Sequence, residues 1–267
     1  MKISSALRKY CNKRIEAIDT LLKKPQQLFL PEDYHQLRVE IKKAKALFAV
    51  TEFCTDRFKS KEFYHLLKPL FKKAGRVRDL QLEIQELDNY KLTGPFPSYA
   101  EWLEEERDKA AVDFFSSIDD GLRKDINASR KSIAHFLAHV HKNEVDNFIE
   151  SRKEKIINLI TKRSKSDEQV HSMRKMLKEF FYTKKMITST DLPVTNTDEL
   201  QDTLGKWHDQ QVMATHLQQG METGKLQIKE KQRIGSLKTM VTKRKDSLLA
   251  KINEIKPVFL QSFRIQS

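Results

Sequence analysis

An all-α fold is predicted by three features of this chain: breakers are scarce, helix formers are abundant, and apolar residues recur every three or four positions. Gly and Pro number seven each in 267 residues, well under their usual shares of about 7% and 5%. Lys, Glu, Leu and Ile are abundant instead, and no segment reads as a convincing strand.

The breakers bracket nine helices, expected at 4–23, 33–57, 60–89, 98–118, 122–141, 144–163, 167–188, 197–219 and 225–255. Pro25 closes the first, and Pro31 precedes the second, for which Asp33 is the expected cap. Ser60 is the expected cap of the third, and Pro69 should kink that helix or mark its early turns. The clearest interruption is Leu92 to Ser98, with Gly94 and Pro97 inside it, and Ser98 opens the fourth helix. Gly121 separates the fourth from the fifth. Asp167 caps the seventh, Pro193 follows it, and Thr197 caps the eighth with Asp198 and Glu199 in the first turn. Gly220 is read as the break before the last helix.

Composition bounds the function. A hydrophobic share of 39% suffices for a genuine core. Fifty Lys and Arg against 37 Asp and Glu leave a net charge of +13, which attracts polyanions: nucleic acid, inorganic polyphosphate, anionic membrane or acidic protein tails. Two cysteines, Cys11 and Cys54, are too few for a disulfide framework and match no metal-ligand spacing. The first ten residues carry no signal-peptide core, and no run of about 18 apolar residues could span a bilayer. A soluble cytoplasmic protein is therefore expected, with no membrane partner and no cofactor.

The chain repeats itself. His35, Arg38 and Lys42 fit the spacing H-x-x-R-x-x-x-K, and so do His171, Arg174 and Lys178. Downstream, Gly75-Arg76-Val77-Arg78-Asp79 matches Gly205-Lys206-Trp207-His208-Asp209 as G-basic-x-basic-D. The offsets, 136 residues from His35 to His171 and 130 from Gly75 to Gly205, keep both pairs in order. One match would be noise; an ordered pair argues for duplication.

At about 100° per residue, His35, Arg38, Lys42 and Lys45 fall within an arc of roughly 80°, while Leu37, Ile41, Ala44, Leu47 and Phe48 occupy the opposite face. The second copy sets His171, Arg174, Lys175 and Lys178 against Met173, Met176, Leu177 and Phe180. For either helix alone, a solvated amphipathic face would be the default. Such a face usually intersperses Glu with Lys, because pairs at i and i+4 stabilise it and like charges there repel. Two all-cationic stripes in register therefore point to an anionic ligand. Gly75 and Gly205 sit inside helical pattern, where Gly costs about 1 kcal/mol against Ala, and a close helix crossing would explain both. Asp79 and Asp209 could orient a neighbouring stripe residue. His65, His135, His139 and His141 are assigned no role.

These paired motifs, H-x-x-R-x-x-x-K-K-x-K with G-x-x-R-D and then H-x-x-R-K-x-x-K with G-x-x-x-D, resemble the CHAD domain, the conserved-histidine α-helical domain. The resemblance runs over essentially the whole chain, read as a single domain at 1–267 with internal halves near 1–120 and 121–267. It implies two pseudo-symmetric four-helix bundles with basic residues gathered at a central cleft or pore, and inorganic polyphosphate as ligand. The residues it marks as polyphosphate-binding are His35, Arg38, Lys42, Lys43, Lys45, Arg78, His171, Arg174, Lys175, Lys178 and Lys206, with Asp79, Asp209, Gly75 and Gly205 in support. The second copy has Phe181 where the family usually carries a base and His208 where it often has Asn, though Tyr182 is retained. The halves are therefore expected to contribute unequally, and polyphosphate granules become one expected location.

Two other function classes compete. A metal-dependent phosphohydrolase could use His208 and Asp209, but the counterpart pair is Arg78 and Asp79, and Arg does not ligate metal. A nucleic-acid binder would suit the charge, yet the stripes lack interleaved aromatics for base stacking, although Tyr34, Tyr64, Tyr182 and Trp207 exist elsewhere. Non-catalytic polyphosphate binding is the expectation, with other polyanions open as partners.

Overall fold

The structure, a computed structural model, describes residues 2–89, 94–164, 166–188 and 197–265. Among them the chain is helical throughout: α1 (Ile3–Leu22), α2 (Pro31–Cys54), α3 (Ser60–Asn89), α4 (Pro97–Ser116), α5 (Asp120–Leu137), α6 (Lys142–Thr161), α7 (Asp167–Thr188), α8 (Thr197–Glu222) and α9 (Ile228–Ile265), with one short 3₁₀ turn at Gln26–Leu28. Pro193 and part of the Leu92 to Ser98 break lie outside the described residues, as do the side chains of Thr197 and Asp198.

The start of α2 shows the local logic. Pro31 takes the first helical position, where its missing N–H costs nothing. Asp33 is not the cap but sits at the third position, reaching back to accept the Leu30 N–H at 2.7 Å. Asp119 does cap α5, accepting the Leu122 N–H at 2.6 Å. Pro69 lies inside α3 without ending it.

Two expected boundaries are corrected. α8 runs through Gly220 to Glu222, because Gly220 serves packing: a Cβ there would fall 2.5 Å from Cε2 of Tyr99, a wholly buried ring. α9 continues past 255, through the exposed Pro257, to Ile265. Ile252, Ile255, Phe259 and Phe263 are all buried on that stretch. Each such side chain contributes about 1.5–3 kcal/mol, which outweighs one lost backbone bond.

The chain packs as two compact units. The first comprises Met1–Gln81, Arg107–Lys153 and Glu179–Asp191; the second comprises Leu82–Glu106, Glu154–Lys178 and Leu192–Ser267. In the first, α1 turns Leu7, Cys11, Ile15, Ile18 and Leu22 inward, and α2 buries the apolar face its periodicity marks: Leu37, Ile41, Ala44, Leu47 and Phe48. Phe58 stacks on Phe63 at 4.8 Å, with Phe136 edge-on to Phe58 at 5.4 Å. Cys11 and Cys54 are buried free thiols, and burial pushes each up to about 12, so neither is a ready nucleophile.

The second unit holds a buried polar network. Tyr99 Oη donates to Glu83 at 2.5 Å, the other Glu83 oxygen meets Nδ1 of His216, and the Tyr99 N–H donates to Glu230 at 2.9 Å. These partners, all under a tenth exposed, satisfy one another as burial demands. Among the described residues, the buried Lys256 meets no carboxylate: its Nζ donates to the Lys162 carbonyl and Ser164 Oγ at 2.9 and 2.6 Å, and burial lowers it to about 8. It closes the end of α6, where carbonyls lack intrahelical donors. Among the described residues, no helix is long and apolar enough to cross a membrane.

Candidate polyanion-binding surfaces

The first motif pair lies entirely within the first unit. Because Leu37, Ile41, Ala44, Leu47 and Phe48 face the core, the opposite face of α2 presents His35, Arg38, Lys42 and Lys45, all exposed or half-exposed. What lies beneath them is α3. The Arg38 guanidinium sits 5.1 Å from the Phe71 ring centre, Lys42 Nζ lies 5.8 Å from the same ring, and Lys45 Nζ lies 5.4 Å from the Tyr64 ring. Tyr64, Phe71, Gly75 and Arg78 occupy one face of α3 at spacings of seven, four and three, so this face runs antiparallel under the α2 stripe.

Gly75 has a reason on this face. A Cβ there would stand 2.5 Å from an Arg38 terminal nitrogen, so glycine leaves the room in which the guanidinium lies. One turn on, Asp79 accepts from Arg38 at 3.4 Å, with the Arg38 side chain 17% exposed. The geometry is long, and at such partial exposure the pair contributes at most about 1 kcal/mol; its consequence is orientation. The expected orienting role of Asp79 thus has a named partner. Lys43 stands apart. It donates to Glu40 at 2.7 Å, and Glu40 also meets Arg14 at 2.6 Å with both side chains nearly buried, so Lys43 belongs to an ion-pair cluster on the flank of the stripe.

His35 reports the local field. Partial burial holds its imidazolium below the ordinary 6.5, and Arg78, Lys42 and Arg38 push the same way against Glu32. His171 is lowered too, by burial and then by Lys175 and Arg174.

The second motif pair lies within the second unit. α7 buries Met173 and Leu177, which leaves His171, Arg174, Lys175 and Lys178 exposed or half-exposed on the other side. The His171 ring meets that of His208 from α8 at 5.7 Å. Lys206 and Asp209 are exposed. The close approach expected at Gly205 is absent: a Cβ there would meet nothing within 4 Å, so packing does not require this glycine. A cation from α9 joins the surface, since Lys245 Nζ donates to Asp167 at 2.7 Å and to Gln211 at 3.0 Å. Asp167 lies one turn before His171, and Gln211 one turn after His208.

Sequence reading missed Phe71, placed Tyr64 away from the stripes, and kept Lys245 only as a fallback on the last helix. Their signal was partly present, because the spacing of Tyr64, Phe71, Gly75 and Arg78 marks a single helix face; which helix covers it is a tertiary fact. Among the described residues, no three His, Cys, Asp or Glu side chains converge as metal ligands do.

Comparison with known proteins bears on this architecture. A family model described as CHAD domain matches residues 15–218. Among solved structures, the crystal structure of the CHAD domain from the plant Ricinus communis superposes with a TM-score of 0.77 at 14% identity, covering 98% of this chain and 92% of that one. PptA from Streptomyces chartreusis superposes with a TM-score of 0.68 at 12% identity, covering 99% and 98%. At such identities these likenesses speak to the fold. No curated protein matches the chain significantly.

Proposed function

We propose that this chain, which belongs to the CHAD domain family, binds inorganic polyphosphate on its two cationic motif pairs without altering it. The observation that carries the reading is the α2 row: Arg38, Lys42 and Lys45 spread over Phe71 and Tyr64. Arg38 is seated on Gly75 and steadied by Asp79. Aromatic faces attract cations by about 0.5–1 kcal/mol at exposed sites, which offsets the mutual repulsion of stacked bases and holds them in an array before any ligand arrives. A phosphate polymer has a charge at every unit and no bases to read, so an array of point charges with one guanidinium capable of bidentate contact matches it. Turnover would require an activated water or nucleophile, and the proposed role assigns none; His208 faces His171 and is read as part of the binding surface.

Competition titration tests this. Medium-chain polyphosphate, duplex DNA and RNA are compared at matched phosphate concentration, with orthophosphate release followed with and without divalent metal. Preferential polyphosphate binding without release is expected. Preference for nucleic acid would favour the backbone-binding alternative, and metal-dependent release abolished by His208→Ala would replace the reading with a hydrolase.

A further inference from the structure

We propose that α3 carries a second cationic track, Lys61, His65, Lys68, Lys72 and Arg76, which extends the polyphosphate surface of the first unit and makes its affinity depend on polymer length. The inference rests on the polyphosphate reading above and deepens it.

At about 100° per residue, these five side chains fall within an arc of roughly 80°, centred about 90° round α3 from the face formed by Tyr64, Phe71, Gly75 and Arg78. Lys61, His65, Lys68 and Lys72 are all exposed, and Arg76 is half-buried. Between Lys61 and Arg76 the arc contains no Asp or Glu: Glu62 points off it, and Asp79, which does fall on the arc, lies one turn beyond Arg76. Among the described residues, no carboxylate reaches Lys61, Lys68 or Lys72. Elsewhere the same chain pairs its surface lysines, as in Lys73 with Asp113 at 2.8 Å on this very helix, Lys142 with Asp146 at 2.7 Å and Lys251 with Glu199 at 3.1 Å. A solvated helix face follows that second pattern, because like charges at i and i+4 each cost a few tenths of a kcal/mol. From Lys61 to Lys72 the α3 track forgoes the relief along three turns.

Its position gives it a use. Lys45 and Lys42 already lie over Tyr64 and Phe71, so the α2 row and the α3 track run along either side of the same ring faces, inside one unit. At about 1.5 Å per residue, the α2 row from His35 to Lys45 spans about 15 Å and the α3 track from Lys61 to Arg76 about 22 Å. A short oligophosphate is satisfied by the row alone. A long polymer continues onto the track, and each further neutralised phosphate steepens the salt dependence.

The test compares tripolyphosphate with long-chain polyphosphate on wild type, on Lys61→Gln/Lys68→Gln/Lys72→Gln, and on the same three positions changed to Arg. The Gln variant is expected to bind tripolyphosphate within about twofold of wild type and to lose roughly tenfold for long chains. Its log K against log[salt] slope should be shallower by about 0.7 per lost contact. The Arg variant should keep both. Gln is a good helix former and all three sites are exposed, so unchanged circular dichroism should accompany the loss. Wild-type affinity and slope for long chains in the Gln variant would overturn the track, as would loss of RNA binding alone. Failure of the underlying reading looks different: wild type itself would not bind long-chain polyphosphate.

Discussion

Three glycines in helices, alike in sequence, have three environments, and each sets its own substitution outcome. Gly205→Ala adds a methyl to open space, so it should raise stability by up to about 1 kcal/mol with polyphosphate affinity unchanged. Gly75→Ala meets the far end of Arg38, which can swing aside; the fold should hold while affinity falls. Gly220→Ala meets a buried Tyr99 ring that cannot yield, and should cost about 1–3 kcal/mol. Thermal melts and titrations of the three separate these cases, and an intact affinity in Gly75→Ala would remove Arg38 seating from the account. The histidines give a pH test. In the free protein His35 and His171 are held below 6.5, so the unfolded chain binds protons first and stability is lost as pH falls through 6.5 toward the lowered folded value. A bound phosphate reverses the local field and raises both groups, so affinity should increase over that same fall in pH and level off below it. A flat affinity profile from about pH 8 to 5.5 would take both rings off the surface.

Helices show what was legible in sequence. The division of α2 into a core face and a cationic face followed from 3.6-residue periodicity, and every apolar residue so marked is buried. What periodicity could not supply was the neighbour: Phe71 and Tyr64 matter because α3 lies under α2. Nor could it tell a breaking glycine from a packed one, so α8 was cut short at Gly220. Element-level charge reversal tests the paired surfaces. Lys42→Glu with Lys45→Glu should weaken polyphosphate binding by more than tenfold and flatten the salt slope, with circular dichroism unchanged because both side chains lie off the core. Arg174→Glu with Lys178→Glu should do the same to a smaller degree, since Phe181 replaces a base in that copy. Lys43→Ala is the contrast. Removing a partner of the nearly buried Glu40 should lower thermal stability more than affinity. Equal affinities in both double variants and wild type would dismiss the two motif pairs and leave Lys243, Arg244 and Lys245 on α9 to be tested.

For the molecule as a whole, the excess of 13 positive charges has two consequences that respond to salt in opposite directions. Self-repulsion among like charges disfavours the compact state, and Lys61, Lys68 and Lys72 on α3, which no carboxylate among the described residues reaches, add to it within the first unit. Screening relieves the repulsion, because the Debye length shrinks from about 30 Å at 0.01 M to about 8 Å at 0.15 M. The melting temperature of the free protein should therefore rise as salt is added over that range. Added salt also weakens polyphosphate binding, because each counterion released into a more concentrated solution gains less entropy. A ligand present at 100 times its dissociation constant stabilises by about 2.7 kcal/mol, and a weaker dissociation constant at higher salt reduces that figure. The increment in melting temperature caused by a fixed polyphosphate concentration should therefore shrink as the free protein's own melting temperature climbs, so that the two curves converge. The triple Gln variant of α3 should start higher in low salt and rise less, since it has shed part of the repulsion. A free protein whose melting temperature falls with added salt would contradict the charge account, because it would mean that attractive pairs such as Arg14 with Glu40 and Lys245 with Asp167 outweigh the unpaired excess.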